Sequence, residues 1–136
     1  MSTRTEKAVE RHDRGYNCAQ AVACSFAEDL GYAEETVFTL AEGFGAGMGG
    51  MQCTCGALSG AVMAAGMKNS RLGGEKLTKG STYLLSKEMV QKFKDRIGSE
   101  ICCEIKGISG RKVLCSCQGC IEEAVKIAEE ELGLSK

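Results

Sequence analysis

Proline and tryptophan are both missing from this chain of 136 residues, and aromatic residues make up only 5% of it. Average usage would supply about 5% proline, so its absence favours uninterrupted helices over a strand-and-turn architecture. With few aromatic rings, a net charge of −1 and a pI near 5.9, the chain has neither the basic footprint nor the stacking platforms of a nucleic-acid binder. There is one histidine, His12, and no Ser–His or paired-carboxylate constellation, so hydrolytic catalysis has no machinery. His12 reads as an ordinary packed or half-exposed residue. The longest run of apolar and small residues, Ala57 to Met67, falls short of the roughly 20 residues that span a bilayer. Met1 to Gly15 is charged and polar, unlike a signal peptide. The expectation is a single cytoplasmic domain over residues 1–136, not in the membrane, with a hydrophobic core of its own.

What the chain has instead is sulfur. Nine cysteines in a reducing cytosol point to metal or redox chemistry rather than a disulfide scaffold, and an odd number suits full pairing poorly. Three of them follow a helix-capping residue: Asn17-Cys18, Thr54-Cys55 and Ser116-Cys117. Cys102 lies three positions after Ser99, inside a first turn if Ser99 is the cap. Asn, Thr and Ser accept hydrogen bonds from the free N–H groups of a first turn. A thiol placed there meets the positive end of the helix dipole, which favours thiolate.

Hydrophobic periodicity supplies the helices themselves. Thr3 to Asp13 reads as the first, with Thr3 and Glu6 as a capping box. Asn17 and Gln20 box the second, whose stripe is Ala19, Val22, Ala23, Phe26 and Leu30 before the stop at Gly31. The third covers 33–42, with Val37, Leu40 and Ala41 inward. A glycine-rich stretch from Gly43 to Gly50 leads into a fourth helix of small residues, capped by Thr54. Its glycines, Gly56, Gly60 and Gly66, would each cost roughly 0.8–1.0 kcal/mol in an isolated helix, which suggests that a backbone or a cofactor comes close. The fifth helix is expected over 75–97, on Leu77, Leu85, Met89, Phe93 and Ile97. Ser116 caps the last, with the stripe Ile121, Ala124, Val125, Ala128 and Leu132. The fold expected is an all-α compact bundle of five to six helices.

Cys18, Cys55 and Cys117 each begin a helix stripe, so their sulfurs are expected to gather at one end of the bundle. Four converging thiolates contain six pairs. At about 4 kcal/mol per pair the repulsion is roughly 24 kcal/mol, against at most about 2 kcal/mol returned by each helix terminus. Four ionised sulfurs therefore require a cation; two alone could work as a dithiol–disulfide couple. Cys117-Gln118-Gly119-Cys120 is a CxxC at a helix start, in which the second sulfur can resolve a mixed disulfide formed by the first. The βαβ pattern and cis-proline of a thioredoxin fold are absent. Cys53-Thr54-Cys55 and Cys115-Ser116-Cys117 each offer two sulfurs to one centre. Cys24 and Cys103 read as packed core residues. Gly45 to Gly50 matches GxGxxG only on paper, since it follows a helix rather than a strand. Gly45 and Gly47 fit better as a nest of N–H donors for sulfur or another anion.

Taken together, several motifs carry a resemblance over nearly the whole chain. They are Gly15-Tyr16-Asn17-Cys18-Ala19-Gln20-Ala21-Val22, Gly43-Phe44-Gly45-Ala46-Gly47-Met48, and Cys55-Gly56-Ala57-Leu58-Ser59-Gly60. Gly98-Ser99-Glu100-Ile101-Cys102 with Glu104 and Gly107 continues the pattern, which ends at Cys117 before Ile121 and Ala124. The chain resembles the C_GCAxxG_C_C family of redox-active proteins. The resemblance implies that Cys18, Cys55, Cys102 and Cys117 are the shared positions, and it leaves the roles of Cys24, Cys53, Cys103, Cys115 and Cys120 open. The leading expectation is an iron–sulfur cluster on those four cysteines, tuned by N–H···S bonds from the glycine loop and exchanging electrons with a redox partner protein. A thiol–disulfide oxidoreductase using Cys117 and Cys120, with Cys18 or Cys55 as a relay, is the alternative. A structural zinc site is the third.

Overall fold

The computed structural model describes residues 2–74 and 76–134. Among them are seven α-helices and no strand: α1 (Thr3–Asp13), α2 (Cys18–Ala27), α3 (Glu34–Ala41), α4 (Gly56–Asn69), α5 (Lys79–Ile97), α6 (Cys102–Lys106) and α7 (Cys117–Leu132). The bundle is all-α, as the proline-free sequence implies. It has more helices than the five to six expected because the turn after α5 closes into the short α6.

Local chemistry explains most of the helix ends. Asn17 Oδ1 accepts from the Gln20 N–H at 2.9 Å while Gln20 Oε1 accepts from the Asn17 N–H at 3.0 Å, so α2 starts on a complete capping box. Ser116 Oγ accepts from the Gly119 N–H at 3.0 Å to start α7, and Gly133, with φ at +68°, stops it in the left-handed conformation. The cap of α1 is Ser2 rather than Thr3: the Ser2 hydroxyl accepts from the Thr5 N–H. Thr54 does not cap α4, because its backbone is engaged in an isolated antiparallel bridge to Ile101. Cys55 is the N-cap instead.

The core sits around α4, which packs against α2, α5 and α7, with α1 laid across α2 and α7. Phe26, Leu58, Met89, Phe93, Ile121 and Val125 fill it. On its other face α2 packs Ala19, Ala23, Cys24 and Ala27 against Val37 and Ala41 of α3. The α7 stripe is buried throughout. Two expected inward leucines are not: Leu40 is 64% exposed, and Leu77, 85% exposed, lies before α5 begins. The expected start of that helix at Glu75 lies outside the described residues.

The glycines of α4 divide by what they face. A Cβ on Gly60 would stand 2.8 Å from the Ala19 carbonyl oxygen and 2.9 Å from Val22 Cβ, and one on Gly56 would meet the Phe44 carbonyl at 3.1 Å and the Ala19 N at 3.3 Å. Gly66 has nothing within 4 Å. Close approach thus explains the first two and not the third. Gly60→Ala should destabilise the protein by about 1–3 kcal/mol through overpacking, whereas Gly66→Ala should stabilise it by up to about 1 kcal/mol. Urea denaturation of both variants checks this; equal effects would remove the packing explanation.

Candidate functional site

Four separate elements each deliver a sulfur to one end of the bundle. Cys18 is the first residue of α2, Cys102 of α6 and Cys117 of α7, while Cys55 caps α4. A short backbone exchange fixes two of them side by side: the Cys55 N–H donates to the Glu100 carbonyl at 2.7 Å, and the Cys102 N–H donates to the Cys53 carbonyl at 3.0 Å. This pairing takes the cap role from Thr54. It also leaves Ser99 outside the helix, its hydroxyl accepting from the Ile101 N–H and donating to Glu104, so α6 starts after Ile101.

All four family sulfurs line a single cavity, together with Cys115, Cys120, Ala46, Gly56, Ile105 and Lys106. The shared-pocket expectation from the helix stripes is therefore met, and Cys115 and Cys120 bring the cysteines there to six. The void they enclose is about 10 Å³, room for about one water. Gly45 and Gly47 back this wall without lining it. A Cβ on Gly45 would run into the Asn17 side chain at 2.4 Å, and one on Gly47 (φ +57°) would stand 2.6 Å from Cys102 Cβ. Their glycine character keeps the caps and sulfurs of α2 and α6 in place. Ala46 and Met48 beside them also have positive φ, in the left-handed region.

The electrostatics depart from what helix termini alone would give. Cys18 is pushed up to about 12, first by burial and then by the neighbouring Cys117 and Cys55 sulfurs. Burial likewise raises Cys102, against the pull of Lys106. At both positions burial and nearby sulfur outweigh the helix dipole. Cys55 is the exception, held down at about 7. Hydrogen bonding from Cys120 is the main cause; burial opposes it, and the Ala57 and Leu58 N–H groups and Lys106 help. The cost falls on Cys120, whose proton is held tightly by Cys55, by burial and by Cys115. The CxxC is thus shared out: Cys120 interacts with Cys55 and Cys115, while Cys117 interacts with Cys18 and Lys106.

Lys106 is the charged cavity-lining residue that sequence reasoning missed. Burial lowers its pKa, but the Cys117, Cys102 and Cys18 sulfurs overcome this and raise it, so the ammonium stays charged beside the sulfurs. The signal was present: Lys106 is four residues after Cys102, hence on the same face of α6.

The remaining cysteines lie elsewhere. Cys24 is buried between α2 and α3, its thiol directed at the Glu34 carbonyl at 3.8 Å, and burial raises it to about 11. Cys103 is buried under Arg111, whose Nη1 stands 3.6 Å from its sulfur. Cys53 is exposed. Cys115 Sγ packs over Gly119, where any Cβ would come within 2.6 Å of it, which accounts for the glycine inside the CxxC. His12, half-buried on α1, is not among the residues lining the cavity.

These values predict a pH profile for the metal-free protein. Modification of Cys55 by a small thiosulfonate should rise through a midpoint near 7, while Cys18 stays unreactive until close to 12. Cys120→Ala removes the main hydrogen bond to Cys55 and should move its midpoint upward. Site-resolved mass spectrometry checks both, and an unchanged midpoint in the variant would count against the Cys55–Cys120 pairing.

Among the described residues, no three cysteine, histidine or carboxylate side chains are grouped so as to hold a metal ion. One tetrahedral zinc with bonds of about 2.3 Å would need sulfurs about 3.8 Å apart. An iron–sulfur cluster distributes its thiolates over several irons, so it takes sulfurs set wider apart. The donor set is four soft sulfurs around one void of about 10 Å³ with a lysine beside them; Cys18 with Cys117 and Cys55 with Cys120 are already in hydrogen-bond contact, so any cluster core would have to displace these thiol–thiol contacts.

A helical bundle with a buried cysteine centre is the class that fold and site define. The family profile described as "putative redox-active protein (C_GCAxxG_C_C)" matches residues 16–131, and the chain belongs to that family. No curated protein and no solved structure is detectably similar to it. No helix among the described residues is long and apolar enough to cross a membrane.

Proposed function

We propose that the protein is an electron carrier whose Cys18, Cys55, Cys102 and Cys117 hold an iron–sulfur cluster. The observation that carries this reading is the convergence of these four sulfurs, from four different helix starts, on one cavity beside Lys106. When bound, such a cluster supplies reversible one-electron transfer. The chain's own residues do the rest. The four thiols give up their protons on binding, which burial otherwise opposes at Cys18 and Cys102. Lys106 offsets part of the thiolate charge, and the packed α2–α4 contact holds Cys18 and Cys55 at the head of the core.

The test is anaerobic purification followed by iron, sulfide and zinc analysis with an absorption spectrum. Brown protein with stoichiometric sulfide supports the cluster. Colourless protein with stoichiometric zinc would replace it with a structural site.

A second reading has its own observation, the low pKa of Cys55 beside the protonated Cys120. As a thiol–disulfide oxidoreductase, the Cys55 thiolate would attack a partner disulfide and release one partner thiolate. Cys120, after losing its proton, would then resolve the mixed disulfide to a Cys55–Cys120 bond and release the second. Metal-free protein with a reducible Cys55–Cys120 bond would favour this reading.

A further inference from the structure

The connection between α4 and α5 stands at the end of the bundle opposite the sulfurs. Cys55 caps the start of α4 and Asn69 ends it, so about 20 Å of helix separates the two. In this connection Leu72 is 105% exposed, as open as in an isolated peptide, and Leu77 is exposed as well. Tyr83 and Leu84, on the second turn of α5, are exposed beside them in the chain. The base of the connection is tied. Asn69 Nδ2 donates to Ser81 Oγ and to Thr82 Oγ1, both at 2.8 Å, and the Arg71 N–H donates to Thr78 Oγ1 at 3.4 Å. These bonds hold the end of α4 against the start of α5, and Leu72 and Leu77, lying between the anchors, project outward.

Cations flank these side chains. Lys68, Arg71, Lys76 and Lys79 fall within twelve residues, and Glu75 is the one acidic residue of that stretch. Lys68, Lys76 and Lys79 are exposed, while Arg71 Nη1 donates to the Lys68 and Ser70 carbonyls. None of the four is paired with a carboxylate among the described residues. Beyond Leu84, Lys87 and Glu88 offset each other in charge. In a chain of net charge −1, this end therefore sets four cations against one carboxylate around its most exposed leucines.

We infer that this connection seats the protein on an anionic phospholipid surface, with Leu72 and Leu77 entering the acyl boundary and the four cations meeting the headgroups. Charge complementarity sets the sign of the surface. Shape selects a bilayer over an acidic protein. A protein partner gains from close-packed complementary relief, which leucines standing out singly from a turn do not offer, whereas a fluid interface closes around them. Tyr83, with an apolar body and a polar tip, suits the headgroup level. The contact lies on the membrane without spanning it, turns the sulfur end away from the lipid, and is independent of what the sulfurs bind.

The purified protein is floated with vesicles of phosphatidylcholine alone and of phosphatidylcholine mixed with phosphatidylglycerol, at low and at high salt. Flotation with the mixed vesicles, weakened by salt, is expected, with little on the neutral ones. Lys76→Glu with Lys79→Glu should weaken it by about tenfold or more. Leu72→Ser with Leu77→Ser leaves the charge unchanged and should also weaken it by about tenfold. Arg111→Glu with Lys112→Glu reverses as much charge on exposed residues near the cavity, more than a Debye length from the connection, and should change it by less than about twofold. Circular dichroism confirms that each variant is folded. Equal losses in the Arg111 and Lys112 variant, equal flotation with neutral vesicles, or no flotation at all would overturn the proposal. So would a dimer that the leucine variant dissociates, or binding to soluble polyglutamate, in place of flotation; these would assign the patch to a second copy or to an acidic protein.

Discussion

Cys55→Ser protein, purified without oxygen, should carry almost no iron or acid-labile sulfide, while Cys24→Ser should retain both. The contrast follows from where the two sulfurs lie. Cys55 caps α4 within the cavity that also holds Cys18, Cys102 and Cys117. Cys24 is buried on the far face of α2, against α3. Serine is among the best N-cap residues, so the substitution at 55 preserves or strengthens the start of α4. The metal-free variant should therefore unfold at the same urea concentration as the metal-free parent or a higher one, since the bound cluster itself would stabilise the parent. Loss of iron with the metal-free fold intact is the signature of a ligand, and a destabilised metal-free fold would show only that the fold had failed. Full iron retention in Cys55→Ser would remove Cys55 from the centre.

The second large effect belongs to Lys106. Lys106→Met keeps the length and most of the packing of the side chain and deletes its charge. A cation stabilises the more negative, reduced state, so its removal should make the midpoint potential more negative. At an effective dielectric of about 20 and a separation of roughly 6–12 Å the interaction is about 1.4–2.8 kcal/mol, or roughly 60–120 mV for a one-electron couple. Lys106→Arg keeps the charge and should stay near the parent value. Protein-film voltammetry or a dye-mediated titration reads the shift. A potential unmoved in Lys106→Met would mean that the ammonium is screened by solvent.

Much of the fold could be read locally. Asn17 with Gln20 and Ser116 with Gly119 act as their sequence spacing suggests, because a cap needs only residues within one turn. The α7 stripe was legible for the same reason. What escaped was set by partners far away in the chain. Thr54 looks like a cap until the 53–55 segment pairs with 100–102, a contact between residues more than 40 positions apart. Cys18 and Cys102 look like thiolates from their place at helix starts, and burial reverses that preference. Leu40 and Leu77 fit their stripes by periodicity, yet no other element covers them. That Cys18, Cys55, Cys102 and Cys117 meet at one cavity was legible from motif and position together. The partition of the CxxC, with Cys120 turned to Cys55, depended on how α4 and α7 meet.

The contact of Gly60 with Ala19 also has a dynamic meaning. Glycine and alanine have no side-chain rotamers to change, so where these two helices touch there is almost nothing that can rearrange except the helices themselves. The helix heads that carry Cys18 and Cys55 are thus fixed relative to each other, and any adjustment on loading the site would fall on the thiol side chains rather than on the helices.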